Sequence, residues 1–368
     1  MNKKKTNKRN TFGSTVWNDF KKGGFRQPLS QDLKDLYDFY IDKESRKKMD
    51  RMNPIRRWIF VSNRILKNMI LKLTPGRRLL LFIGLIIIFW TGTVRPEGTQ
   101  GDPRFPIFGI LLLLVVLMLE LKDKLLAKDE LETGRRIQMA LMPEESPHVE
   151  GWDVFLYTQP ANDVGGDLVD YQDLGDGKYG FALGDVAGKG LGAALVMAKL
   201  QSSLRALAPL KKGVCWLADQ VNAIFVRDCV PGRFASLVYL ELSIKTGEIE
   251  LINGGHLPPL VKREYNTDEM QKGQVAIGLT KNVDFKSDVI TLEKGDFFVV
   301  FSDGVTEAQN KFQSFFGESQ LKSLIQNSKS HTSHEMGQEI LHAVTQFQEG
   351  ARPHDDLSLI ILKRETSW

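Results

Sequence analysis

Cysteine is scarce: only Cys215 and Cys229 occur in 368 residues, with no metal-type pairing around either. That excludes a disulfide framework and fits a reducing compartment. Neither is followed by arginine six positions on, the spacing that a thiol-based phosphate loop needs, so both read as helical core residues. A zincin site is also missing. In His334-Glu-Met-Gly-Gln338 the fifth position carries Gln338 where a second histidine is required, which leaves a polar helix start. No glycine-rich nucleotide box or histidine-bearing dimerisation helix is present, which removes a sensor kinase.

Charge is absent from two apolar runs, residues 79–94 and 105–119. Each is shorter than the ~20 residues that comfortably span a bilayer, but flanking Arg77, Arg78 and Lys122 can snorkel. Apolar on all sides, the runs predict a two-helix transmembrane hairpin over 79–121 in preference to two buried core helices. Residues 1–78 hold 21 Lys/Arg against 7 Asp/Glu, leaving 28 against 38 for the rest. The basic N-terminal side, together with a short connector over 95–104 whose two Arg are balanced by Glu97 and Asp102, predicts a multi-pass membrane protein with both long segments cytoplasmic and the connector outside. The basic segment 1–78 is expected to be partly disordered, with a charged helix over 31–50. It carries no nucleic-acid motif, and its place before an apolar run favours attraction to anionic lipid, at about 1 kcal/mol per basic residue.

After the second run, residues 120–141 lack proline and are rich in helix formers, which predicts a linker helix over 122–142 ending before Pro143. Leu121, Leu125, Ile137 and Leu141 offer a broken seam for a homodimer. From Trp152 onward the texture is short strands and tight turns. Strands are predicted over 154–158, 168–174, 179–185, 235–243, 248–253, 297–301 and 357–362. Helices are predicted over 190–207, 214–227, 318–327 and 334–347, and Gly175-Asp176-Gly177 reads as a hairpin turn. Runs of strands separated by paired helices imply an α+β domain over 143–368.

Four acidic motifs stand at strand ends or turns: Asp163-Val-Gly-Gly-Asp167, Gly184-Asp185-Val-Ala-Gly188, Ser302-Asp303-Gly304 and His354-Asp355-Asp356. Their glycines leave room for backbone and ions to approach closely. Hard divalent cations prefer such oxygen donors, so aspartates gathered from several strands suit a hydrolytic metal centre.

Together these motifs resemble the metal-dependent PPM protein phosphatases, in their bacterial SpoIIE/RsbU-type branch. The resemblance runs from about Glu132 to Lys363. It rests on Arg136-Ile-Gln-Met-Ala-Leu-Met-Pro143, Val164-Gly-Gly-Asp167, Gly184-Asp185-Val-Ala-Gly-Lys-Gly190 and Pro231-Gly-Arg-Phe234. Asn253-Gly-Gly-His-Leu-Pro-Pro259, Phe301-Ser-Asp-Gly-Val-Thr-Glu-Ala308 and Asp355-Asp356 complete it. It implies a PPM-like α-β-β-α sandwich of two antiparallel sheets. Asp185 and Asp303 would carry the catalysis. Asp185 would bridge two Mn²⁺ or Mg²⁺ ions with the Val186 carbonyl, Asp303 and Asp356 would complete one ion's shell, and Asp167 would serve the other. Asp163 and Asp355 would contribute from further out. Lys189 has two readings, contact with the substrate phosphate or a solvated cation. The implied reaction is two-metal activation of water against phosphoserine or phosphothreonine, with an anti-sigma-factor antagonist as the phosphorylated protein substrate.

Two rivals stand beside this reading. Val164-Gly-Gly-Asp-Leu-Val169 approaches the signature of diguanylate cyclases, but the acid after Asp167 is missing and the motif comes too early in the domain. A catalytically silent scaffold for a regulator of gene expression is the other. His256, in a glycine-proline turn, reads as architecture rather than catalysis.

Overall fold

The computed structural model describes residues 52–93, 104–228, 232–264, 266–351 and 353–365, together with Tyr37, Ile41 and Met49. Most of the basic segment, the expected helix over 31–50 apart from those three residues, and Cys229 lie outside the described residues. The chain forms two compact units, 1–125 and 126–368.

In the first unit, α1 (Pro54–Lys72) and α2 (Pro75–Thr93) precede α3 (Arg104–Leu141), which continues into the second unit as one helix of 38 residues. Gly109 lets α2 and α3 approach: a Cβ there would lie 2.8 Å from Ile88 Cγ1 and 3.0 Å from the Gly84 carbonyl. Arg77 ties the pair together through Glu120 at 2.8 Å and Asp123 at 2.6 Å.

The expected multi-pass membrane placement is overturned by these helices. Among the described residues no helix is long and apolar enough to cross a membrane. Arg77 and Arg78 stand in the first turn of α2, and Glu120, Lys122 and Asp123 interrupt α3. The uncharged stretches between them fall short of the ~20 residues that a span needs.

The second unit holds two five-stranded antiparallel sheets. The first contains β1 (Trp152–Gln159), β6 (Leu260–Lys262), β7 (Thr267–Glu269), β9 (Phe297–Phe301) and β10 (Leu357–Arg364), in the order β1-β10-β9-β6-β7. The second contains β2 (Asp167–Gly175), β3 (Lys178–Val186), β4 (Ala235–Ser243), β5 (Glu248–Gly254) and β8 (Asp288–Thr291), ordered β2-β3-β4-β5-β8.

The alternation of side chains along each strand builds the layers. Phe181 and Leu183 of β3, and Val238 and Leu240 of β4, meet Phe298, Val300, Ile360 and Leu362 between the sheets. Their sequence neighbours Ala182, Leu237 and Tyr239 face the opposite way. They pack under α4 (Leu191–Leu207) and α5 (Val214–Asp228). On the far side Phe297, Val299, Leu359 and Ile361 pack beneath α7 (Glu318–Asn327) and α8 (Ser333–Gln348). The result is an α-β-β-α sandwich. Strands buried on both faces read as nearly continuous apolar runs, as in Phe297-Phe-Val-Val-Phe301.

The β2–β3 hairpin closes through Gly175, Asp176 and Gly177, all at positive φ (+75°, +58° and +76°), and the two glycines take this conformation without steric cost. The helix predicted over 318–327 occupies those residues. That predicted over 334–347 starts at Ser333, because Thr332 and Glu335 form a reciprocal capping box.

Candidate functional site

The hairpin register fixes the first pair of acids. Asp167, at the start of β2, lies directly across from Asp185, near the end of β3. From the other sheet, Asp303 follows β9 and opens the short helix α6 (Asp303–Thr306), while Asp356 immediately precedes β10. β9 and β10 are antiparallel partners, with Phe301 opposite Leu359, so the chain leaving one lies beside the chain entering the other.

Backbone amides hold Asp356. Its Oδ1 accepts from Ala161 N at 2.7 Å, and its Oδ2 accepts from Gly166 N at 2.6 Å and Asp167 N at 3.4 Å. The fit requires glycine. A Cβ on Gly165 would stand 2.6 Å from Asp356 Oδ2, and one on Gly304 would stand 1.9 Å from the Asp356 carbonyl oxygen. Ser302 locks the same segment: its hydroxyl donates to the Asp356 carbonyl at 3.0 Å and accepts from Ser358 N at 2.9 Å.

The carboxylates crowd one another. Burial, then repulsion from Asp303, Asp355 and Asp356, pushes Asp185 up to about 7. Burial, then Asp355 and Glu307, pushes Asp303 to about 6. Asp167 is raised well above the usual range by burial and by Asp185. Its Oδ2 is buried with no hydrogen-bond partner among the described residues. Such an arrangement opposes its own ionisation, and a divalent cation would reverse that.

Asp355 joins the centre through these effects and also pairs with Lys189, whose Nζ lies 2.9 Å from Asp355 Oδ2 and 2.7 Å from the His354 carbonyl oxygen. Lys189 is thus held on the acids themselves. Asp163 is exposed.

An open groove of about 610 Å³ lies beside Asp185 and Asp303, with Ser236, His256, Lys272 and Glu307 also on its walls. His256 is a buried support of this groove. Its Nδ1 meets Ser236 Oγ at 2.7 Å, its backbone N–H donates to Asn253 Oδ1 at 2.8 Å, and burial pushes its pKa down to about 4.

The SpoIIE family model, Stage II sporulation protein E, matches residues 175–365. The chain belongs to the SpoIIE family. Among known proteins it is 28% identical over 270 residues to Protein IcfG of Synechocystis sp., covering 64% of this chain and 41% of that protein. It is 26% identical over 241 residues to Phosphoserine phosphatase RsbU of Bacillus subtilis, covering 65% of this chain and 71% of that one. The SiaA-PP2C domain of Pseudomonas aeruginosa shares the fold, with a TM-score of 0.58 at 16% identity, covering 66% of this chain and 99% of that domain.

The SpoIIE-family match includes Asp185, Asp303, Asp355 and Asp356 but begins after Asp167. Asp167 enters the centre through strand pairing. Among the described residues no three His, Cys, Asp or Glu side chains stand close enough together to hold one ion. The donor set nonetheless suits a hard cation: carboxylates from four strand ends, an unpartnered buried oxygen on Asp167, and mutual repulsion in search of positive charge.

Several contributors escaped the motif reading. The Ser302 hydroxyl accepts from the Ser358 amide across 56 residues of sequence. Ser236 sits in an apolar strand, and only its register opposite Asp185 gives it away. Gln138, in α3, makes two hydrogen bonds to Gly165.

Proposed function

We propose that this chain is a metal-dependent protein serine/threonine phosphatase acting on a phosphorylated signalling protein, an anti-sigma-factor antagonist. The observation that carries this reading is the meeting of Asp167 and Asp185 in strand register, with Asp303, Asp355 and Asp356 bearing on them beside an open groove. The family and the phosphoserine phosphatase RsbU among its relatives support it.

In this reading Asp167, Asp185, the Val186 carbonyl, Asp303 and Asp356 would hold two Mn²⁺ or Mg²⁺ ions, and Asp355 would contribute from further out. When bound, such ions supply Lewis-acid activation of water and offset the charge of the phosphoryl oxygens. The chain's own contribution is preorganisation. Ser302 and the amides of Ala161 and Gly166 fix Asp356. Strand pairing fixes Asp185 against Asp167. Lys189 places a cation on Asp355 at the edge of the cluster. The groove receives the segment that carries the phosphate. Exposed Leu121, Leu125 and Ile137 on α3 support pairing of two copies.

The test is phosphate release from a phosphoserine peptide by the full chain, with Mn²⁺, with Mg²⁺ and with chelator. Metal-dependent release is expected; none under any of these conditions favours the silent scaffold.

A further inference from the structure

We propose that Gln138 is a positioning residue for the acidic centre, its amide clamping both sides of Gly165 so that the turn ahead of Asp167 stays seated on Asp356. Gln138 lies one turn before the end of α3 and is only 6% exposed. Its Nε2 donates to the Gly165 carbonyl at 2.8 Å, and its Oε1 accepts from the Gly165 N–H at 3.1 Å. One side-chain amide therefore satisfies both backbone groups of one buried residue, as a neighbouring strand would.

The next amides along the chain do the work on the site. Gly166 N and Asp167 N both point at Asp356 Oδ2. Gly165 itself passes so close to that oxygen that no side chain fits between them. A shift of the Gly165 peptide therefore moves the two donors that orient Asp356 and the backbone that carries Asp167.

The helix end is anchored independently. The Leu141 carbonyl accepts from Gln201 Nε2 at 2.7 Å and from Arg205 Nη2 at 3.1 Å, both on α4. Gln138 thus reaches the turn from a fixed base. Only glutamine has the required donor, acceptor and length: glutamate lacks the donor for Gly165 O, and asparagine is one methylene short.

The inference rests on the metal-centre reading for its consequence but not for its geometry, and the full-length protein tests both. Gln138→Met keeps the bulk and burial while removing both hydrogen bonds; Gln138→Glu removes the donor alone. Asn222→Leu deletes an equally buried amide that grips Thr280 and Gly278 instead of Gly165, away from α3, and serves as the control.

Hydrogen exchange without metal is expected to rise across residues 164–168 in Gln138→Met, and less so in Gln138→Glu. Calorimetric titration with Mn²⁺ is expected to show Kd about 10–100-fold weaker in Gln138→Met, the usual effect of removing a partner that orients a ligand. Asn222→Leu should bind Mn²⁺ within about twofold of wild type while losing thermal stability. Unchanged exchange at 164–168 in a folded Gln138→Met protein overturns the clamp, as does an equal loss of Mn²⁺ binding in the control. If Gln138→Met does not fold, Gln138→Glu decides by the same two measurements. A wild type with no saturable Mn²⁺ site sinks the metal reading, and the exchange data then judge the clamp alone.

Discussion

Two aspartates on strand β2, three residues apart and equally buried at 4% exposure, have opposite surroundings. Asp170 is met by Arg205 of α4, which grips both its oxygens at 2.8 Å. Asp167 has no such cation; Asp185 and Asp356 crowd it, the Ser358 and Ser302 side chains offset this only in part, and its Oδ2 has no partner among the described residues. A folded chain normally pairs a buried charge, because desolvation without compensation is costly. Asp170 follows that rule with a bidentate ion pair, the strongest form available to side chains. Asp167 departs from it, and the proposed metal centre rests on that departure. Burial by itself does not identify an active carboxylate; the charge that surrounds it does.

The comparison breaks first, and most strongly, at the unpaired end. Asp185→Asn and Asp303→Asn are each expected to lower metal-dependent phosphatase turnover by more than ~100-fold, beyond the range for a partner that merely orients a ligand. The domain should stay folded, as judged by circular dichroism. Full activity in either variant would remove both residues from the centre.

At the paired end the effect belongs to stability. Arg205→Met leaves Asp170 buried without its cation and should cost about 3 kcal/mol, the lower end for a broken buried pair because Arg205 is partly exposed. Urea unfolding measures this. Turnover per folded molecule should persist, since Gln201 still holds the Leu141 carbonyl, and a folded but inactive Arg205→Met protein would show that the paired end reaches the site through β2 or through Leu141.

Cation binding should stabilise only the unpaired end. Mn²⁺ at a hundredfold excess over its Kd is expected to add about 2.7 kcal/mol to wild-type unfolding free energy. It should add little to Asp185→Asn, and equal gains in both proteins would place the ion elsewhere.

His256 sharpens the comparison with a buried base that is kept neutral. Its pKa in the fold is about 4, below the ordinary ~6.5, so between these values the unfolded chain binds a proton that the folded chain refuses. The stability that depends on neutral His256 is complete above pH ~6.5 and drains away as pH falls toward 4. From pH 7.5 to pH 5 the loss should be about 2 kcal/mol by urea midpoint, and His256→Gln should flatten that slope. An unchanged slope would assign it to other groups.

The smallest effect expected is none: Cys215→Ser and Cys229→Ser should keep wild-type turnover, and a folded, inactive variant of either would return attention to thiol chemistry.

Much of the fold is legible in the residues. The helix over 318–327 and the strand over 297–301 follow from apolar pattern and flanking breakers. β6, β7 and β8 are not legible. They are three or four residues long, and they hold their places through neighbouring strands rather than through a pattern of their own. The apolar runs of α2 and α3 misled in the opposite direction. Uncharged residues predicted a span, but the charged residues at their borders leave no helix among the described residues that is long and apolar enough to cross a membrane.

The sequence by itself determined the acids and their setting: aspartates beside glycines at strand ends, in an order that resembles one family. Those features are local, because glycine and aspartate express backbone freedom and charge wherever they stand. Tertiary structure alone decided which acids meet. Strand register puts Asp167 opposite Asp185, while the β9–β10 pairing brings Asp303 toward Asp356 across 53 residues of chain. The same chain path leaves Asp163 exposed and gives Asp170 an arginine. It also carries Gln138 to Gly165 from a helix 27 residues upstream. Pairings of this kind depend on the whole packed sandwich, so no window of residues contains them.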